Sequence, residues 1–449
     1  MNASLAHIAT LCQATLHQVD AATATQTPIE RLARDSRQVQ MGDLFLALKG
    51  ERFDAHDFAE QVAGKASAAL VSRPLDIPIP QLVVDDVRLG LGRLAAAWRQ
   101  SFVGTVVGLT GSNGKTTLKE MLTAILSQKG GTLATAGNFN NDIGMPLTLL
   151  RLHSDYDFAV IEMGANHFGE IEYLTQLCRP DVAILNNAGA AHLEGFGSIK
   201  GVSRAKGEIF SGLAADGIAV INADDAYADY WLILNQQRKV VTFGMQQPAD
   251  VWGRYAAEQG FVIHCGTEQV PVSLKLLGHH NQMNALAAAA GAHALGLPLS
   301  MIKQGLETVQ AVKGRLCPYP GQHGGLVIDD TYNANPTSAV AALEVLASLH
   351  GHKILVLGDM GELGETGVDD HAEIGRKAAH LGIDMLFSLG VLSAEASHCF
   401  GDKGYAFEQL DDLLAALQAA LQPTSQVLIK GSRAARMERV VTVLTEVRV

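Results

Sequence analysis

Several things are missing from this chain of 449 residues, and each absence removes a class of protein. Paired cysteines are absent: Cys12, Cys178, Cys265, Cys317 and Cys399 lie far apart and form no CxxC pair. An odd, scattered set argues against a disulfide framework and against a structural zinc site. No Lys/Arg block is long enough to make a nucleic-acid stripe, and the net charge is −12, so no nucleic-acid partner is expected. Any phosphate must be held locally rather than by a general basic field. No apolar run approaches the roughly 20 residues that a membrane-crossing helix needs. Residues 1–16 have neither a basic start nor a continuous apolar stretch, so no signal peptide is expected and the chain reads as cytoplasmic.

What is present fits a well-packed globule. Hydrophobic residues make up 48% and charged residues 18%, and 45 glycines suit a loop-rich α/β enzyme. The length calls for two to four domains. Three regions separate by pattern. Residues 1–82 hold short strand-like runs at 43–48 and 69–71, and a stretch at 73–80 with three prolines closes the region. Residues 83–314 alternate strand and helix. Apolar runs at 103–110, 158–161, 182–185 and 218–221 read as buried parallel strands, 250–276 as a small antiparallel addition, and 281–294 as an alanine-rich helix. Residues 315–449 restart the alternation, with strands at 326–328, 354–357, 385–388 and 427–429. The expected fold is α/β in three domains: a small N-terminal α/β domain, a central mostly parallel sheet with helices on both faces, and a C-terminal Rossmann-like doubly wound domain. Ligand residues are expected at the carboxyl ends of its strands.

The strongest motif is Gly111-Ser112-Asn113-Gly114-Lys115-Thr116-Thr117, a glycine loop between a buried strand and a helix. In that setting backbone N–H groups and the helix N-terminus attract phosphate, Lys115 reaches the outer phosphates, and Thr116 can ligate Mg²⁺. The usual pattern wants glycine where this chain has Leu109, so the loop is a compressed variant. Alone it says only that a nucleotide binds, and a kinase or regulatory NTPase remains an alternative. Glu162 ends a strand and reads equally as a metal ligand or a solvated acid. His192, in the loop after 182–185, reads as a ligand or as a loop-ordering hydrogen bonder. Lys206, beside Glu208, reads as a surface lysine. Asn281 and Asn284 open the alanine-rich helix, where Asn281 suits capping and an asparagine amide matches an adenine edge.

The loop at 111–117 resembles that of the Mur ligases and folylpolyglutamate synthases. Segments 137–146, 162–166, 187–198, 205–210, 329–336 and 430–433 extend the resemblance to Mur ligases over nearly the whole chain. Segments 50–58 and 358–364 look particular to the branch of that family that adds a dipeptide. The resemblance implies an ATP-dependent amide ligase that forms an acyl phosphate and then a tetrahedral intermediate. Its substrates would be UDP-N-acetylmuramoyl-tripeptide and D-Ala-D-Ala, and it would act as a monomer. It also implies two magnesium sites, one at Thr116 and one at Glu162, His192 and Lys206, with Lys206 carbamylated. Adenine would meet Asn284 with Asn281 close by, while Arg315 and Asp330 would reach ATP across a domain gap. The precursor would meet Ser36, Arg37, Phe53, Asp54, His56 and Asn138. Asn333, Asn335, Asp359, Lys430 and Ser432 complete the expected substrate contacts, with Lys430 suited to a carboxylate.

Overall fold

The computed structural model describes residues 3–50, 53–256, 259–322 and 324–445, which build three main sheets, one for each region of the sequence, and a two-stranded ribbon. Glu51 and Arg52 of the 50–58 segment lie outside the described residues.

The first sheet runs in the order Thr15–His17, Gln81–Val83, Ala68–Val71, Asp43–Leu46, Arg31–Ala33. Asp43–Leu46 and Ala68–Val71 are buried along their whole length, as strands covered on both faces are. The proline stretch leads back into this sheet rather than out of it. Gln81–Val83 follows it and pairs with both Ala68–Val71 and Thr15–His17, so the sheet ends one residue past the expected boundary. Helix Val87–Gln100 comes next, started by Asp86, whose carboxylate accepts from the Arg88 and Leu89 amides. Its Leu91, Leu94 and Ala95 join Leu5 and Leu82 of the first region and Leu149 and Ile171 of the second in one continuous core.

The central sheet has nine strands, ordered Glu268–Val272, Gly260–Cys265, Val251–Ala256, Lys239–Gly244, Ile218–Asn222, Val182–Leu185, Thr105–Thr110, Phe158–Glu162, Thr132–Ala134. The first three make the antiparallel addition expected over 250–276, and the rest are parallel. Along Thr105–Thr110 the side chains alternate: Val106 enters one core, Val107 and Leu109 the other. Helices Lys115–Leu126 and His279–Ala294 pack on the second of these faces. The alanines of His279–Ala294 let it lie close to the strands, and a Cβ on Gly291 would stand 2.7 Å from Ile184 Cδ1.

The third sheet runs Cys317–Pro320, Leu326–Asp330, Ser425–Lys430, His352–Gly358, Met385–Leu389, Gly404–Phe407, parallel except for its first strand. After His352–Gly358 the chain passes to helix Gly367–His380 on one face; after Ser425–Lys430 it passes to Glu438–Leu444 on the other. These two strands are neighbours, so a switch point lies between their carboxyl ends. Lys430, Ser432 and Asp359 sit there, with the Ser432 amide donating to the Asp359 carbonyl at 3.0 Å. Thr132–Ala134, Lys239–Gly244 and the two edge strands Cys317–Pro320 and Gly404–Phe407 were not expected from the sequence. The edge strands keep exposed residues along their length, which hides the apolar pattern.

Candidate active site

The carboxyl ends of the central and third sheets face a shared cleft of about 1670 Å³. Its floor is the glycine loop. Gly114 takes φ +78°, a left-handed conformation, and begins helix Lys115–Leu126 without a side-chain cap, leaving the first amides of the helix open. A Cβ there would stand 2.2 Å from Asn284 Oδ1. The loop is held from the next strand's end. Ser112 N donates to the Asn187 carbonyl at 3.0 Å, Asn113 N to Asn187 Oδ1 at 2.9 Å, and Asn186 Nδ2 to the Asn113 carbonyl at 3.0 Å. Lys115 curls back on the loop, donating to the Gly111 carbonyl at 2.7 Å. Burial of its ammonium group pushes its pKa down, Glu162 pulls it up, and Arg315 pushes it down further.

Glu162 is buried at the end of Phe158–Glu162. Asn140 Nδ2 donates to its Oε1 at 2.8 Å, while Oε2 is buried without a hydrogen-bond partner. An orphaned carboxylate oxygen at a phosphate-binding edge suits a cation. Lys206 is completely buried, not a surface lysine. Its Nζ lies 3.5 Å from the Ala165 carbonyl and 5.4 Å from the centre of the Phe196 ring. Desolvation, reinforced by Lys115, lowers its pKa to about 7. His192 has φ +54° and places Nδ1 2.6 Å from Glu362 Oε2, a residue of the third region. The imidazole holds the Glu362 carboxyl below the usual carboxylate range.

The third sheet closes the cleft. Lys430, almost fully buried, places Nζ 2.5 Å from Asp330 Oδ2 and donates to the Asn333 carbonyl at 3.0 Å. Arg315 lies over the Tyr332 ring at 4.3 Å. Asn335 caps helix Pro336–Ser348 in a reciprocal capping box with Ser338, and its Nδ2 donates to Asn113 Oδ1 at 2.9 Å.

Two family models match: the Mur ligase middle domain over residues 109–292 and the Mur ligase glutamate ligase domain over 314–433. The UDP-N-acetylmuramoyl-tripeptide–D-alanyl-D-alanine ligase of Escherichia coli K12 is 49% identical over 93% of this chain and 94% of its own. The chain belongs to the Mur ligase family. Among solved structures, a MurF crystal structure from Acinetobacter baumannii superposes with a TM-score of 0.94 at 40% identity, covering 100% of this chain and 99% of that one. MurF from Thermotoga maritima, solved in complex with ADP, superposes with a TM-score of 0.81 at 30% identity, covering 92% and 96%.

In this Mur ligase the cleft gathers most of the residues expected from the sequence. Ser112, Asn113, Gly114, Lys115, Thr117, Asn138, Glu162, His192, Asn281, Asn284, Arg315, Asp330, Asn333, Asn335, Lys430 and Ser432 line it, whereas Gly111, Thr116 and Lys206 are buried and not part of the lining. Among the described residues no three His, Cys, Asp or Glu side chains converge as a metal cluster. The expected magnesium residues include only two such side chains, Glu162 and His192. Both asparagines of the alanine-rich helix are already engaged: Asn284 Oδ1 accepts from Asn186 Nδ2 at 2.8 Å, and Asn284 Nδ2 donates to Asn281 Oδ1 at 3.1 Å. Asp359 stands outside the lining, its carboxylate accepting the Ser393 amide at 2.7 Å.

The N-terminal candidates are also outside the cleft lining. Arg37 is exposed and paired with Asp35 at 2.7 Å, Ser36 Oγ donates to Gln61 at 3.2 Å, and Phe53 is exposed. His56 is buried. Its Nε2 accepts the Ser72 amide at 2.9 Å and its Nδ1 lies 2.5 Å from Asp54 Oδ1, which occupies both ring nitrogens within the fold.

Sequence reasoning missed several residues. Arg88, in the cleft wall, bonds Asp142 at 3.0 Å and the Lys49 carbonyl at 3.2 Å, tying the first region to the 137–146 loop. Lys119, fully buried, donates to the Thr135 carbonyl at 2.8 Å, and Thr135 Oγ1 in turn accepts the Glu162 amide at 3.0 Å. Glu362 and Asn186 were missed as well. An Asn-Asn pair directly after an apolar strand was the available signal for Asn186.

Proposed function

We propose that this Mur ligase joins D-alanyl-D-alanine to UDP-N-acetylmuramoyl-tripeptide, with ATP consumed to ADP and phosphate. The terminal carboxylate of the tripeptide takes the γ-phosphoryl group, giving an acyl phosphate. The dipeptide amine then attacks the acyl carbon, and phosphate leaves from the tetrahedral intermediate. Two anions must meet, and the acyl phosphate must be kept from water. One observation carries this reading: the cleft sets the phosphate loop with Lys115 opposite Arg315, Asp330 and Lys430 of a second α/β sheet. A kinase or regulatory NTPase has no need of that second sheet.

The residues divide by position. Gly111, Ser112, Asn113, Gly114, Lys115, Thr116 and Thr117 cradle the phosphates, Asn281 and Asn284 border the adenine, and Arg315 and Asp330 meet the nucleotide from the far side. Ser36, Arg37, Phe53, Asp54 and His56 belong to the domain proposed for the UDP-sugar, with Asn138 toward the peptide. Asn333, Asn335, Asp359, Lys430 and Ser432 serve the dipeptide end. The proposed domains span 1–82, 83–314 and 315–449.

Magnesium, when bound, neutralises phosphoryl oxygens. Thr116 would hold one ion, and Glu162, His192 and Lys206 the other. The unpartnered Glu162 Oε2 favours this. A buried lysine with a pKa of about 7 has a neutral amine available at physiological pH. That amine adds to carbon dioxide, forming an N–C bond and releasing a proton, and the resulting carbamate presents a carboxylate-like ligand where an ammonium stood. The proposed enzyme acts as a monomer in the cytoplasm; among the described residues no helix is long and apolar enough to cross a membrane. Mass spectrometry of a reaction with ATP and both substrates tests the proposal. A product equal to their summed mass less one water is expected, and its absence would refute the joining activity.

A further inference from the structure

The segment 358–364 stands out in the sequence, yet the proposed chemistry uses only Asp359 from it. The structure puts a different residue to use. Met360 and Leu363 are buried and anchor the loop, and the Met360 amide donates to His371 Nε2 at 2.9 Å. Between the anchors Glu362 is held at φ +61°, a conformation that L side chains rarely adopt. Its carboxylate reaches across to the central sheet's loop, where His192, also left-handed at φ +54°, places Nδ1 2.6 Å from Glu362 Oε2 but out of line for a hydrogen bond. On its other side the His192 ring meets the Phe196 ring edge-on, 6.4 Å between centres. Two non-glycine residues, on loops that follow strands of different sheets, are thus each kept in an unfavoured backbone conformation, facing one another.

We propose that Glu362 is a positioning residue for His192. The contact is a charge approach rather than an aligned hydrogen bond, and a carboxylate so close to Nδ1 favours the proton on that nitrogen by its charge, so Nε2 retains its lone pair. Imidazoles that bind cations are commonly set in this way by a carboxylate on the other nitrogen. The inference rests on the proposed role of His192 toward magnesium and adds that the third sheet completes that site. His192 is set only when the two sheets are brought together. The arrival of the dipeptide-binding region and the readiness of the phosphoryl-transfer site become one event.

A double-mutant cycle with nitrogen-15 NMR tests this. The variants are Glu362→Gln, His192→Gln and the pair, with Glu362→Gly added because glycine relieves the left-handed backbone and keeps the fold secure. Glu362→Gln and Glu362→Gly are each expected to lower kcat by roughly ten- to a hundred-fold. Neither is expected to lower it further in a chain that already carries His192→Gln. In histidine-labelled protein the His192 ring signals should report protonated Nδ1 and shift in Glu362→Gln without any substrate present. Losses that multiply, or His192 signals that do not respond to Glu362→Gln, would overturn the proposal. The NMR result stands apart from ligase turnover. A wild-type protein that joins no substrates would count against the proposed function, whereas an active one with unmoved His192 signals would count against Glu362 alone.

Discussion

Asn335 donates its side-chain amide to Asn113 Oδ1 at 2.9 Å, joining the first turn of a helix in the third sheet's layer to the phosphate loop of the central one. The same asparagine caps its helix through Oδ1, which accepts the Ser338 amide at 2.9 Å. The two roles separate by mutation. Asn335→Ala should lose about 1 kcal/mol of stability through the cap, read as a lowered thermal midpoint. Asn113→Ala should leave that midpoint nearly unchanged and weaken the approach of the two sheets, read by solution scattering with an ATP analogue bound.

Lys430 and Asp330 form a pair that is almost fully buried on the lysine side. Removing one partner strands the other charge, which costs on the order of 3 kcal/mol or more. Asp330→Ala should therefore destabilise the chain strongly in thermal melting. Adding Lys430→Met to it should recover part of the loss, because no unpaired charge then remains.

Gly114 has no room for a side chain: its φ is +78° and a Cβ would stand 2.2 Å from Asn284 Oδ1. Gly114→Ala should abolish binding of an ATP analogue in calorimetry while far-ultraviolet circular dichroism stays near wild type. Retained tight binding would show that the loop does not hold the phosphates.

Lys206 gives the pH-dependent prediction. Its pKa is lowered to about 7, chiefly by desolvation, so the ammonium form dominates below that pH and cannot add to carbon dioxide. With carbon-13 bicarbonate, a carbamate signal should grow as pH rises through about 7 and be missing in Lys206→Arg. The linkage runs in the same direction. The unfolded lysine holds its proton up to about 10.4, so the unfolded state binds more protons between those two values. In carbon dioxide-free buffer, stability should therefore rise with pH across that window.

How much of this was legible in the sequence depends on how far apart the partners lie. The loop at 111–117 was readable because its strand, glycines, lysine and helix are consecutive, and the structure adds only that Asn186, Asn187 and Asn284 brace it. Lys206 was unreadable as a buried group. A lysine beside Glu208 on a short helix has the local pattern of a surface residue, and its burial comes from Ala165, 41 residues away, and from Phe196 on the preceding short helix. The pairings of Lys430 with Asp330 and of His192 with Glu362 likewise bridge long separations that periodicity does not encode. Prolines at 73–80 signalled the end of a region, but they turn the chain within the first sheet, since a proline breaks a strand without choosing which sheet comes next.

In the proposed reaction, phosphoryl transfer from ATP is coupled to amide formation with a dipeptide. Phosphate release, followed with ATP and UDP-N-acetylmuramoyl-tripeptide and then with D-Ala-D-Ala added, reads that coupling. Sustained release only when both substrates are present, lost in Lys115→Ala, is the predicted result. Release at the same rate without the dipeptide would contradict it.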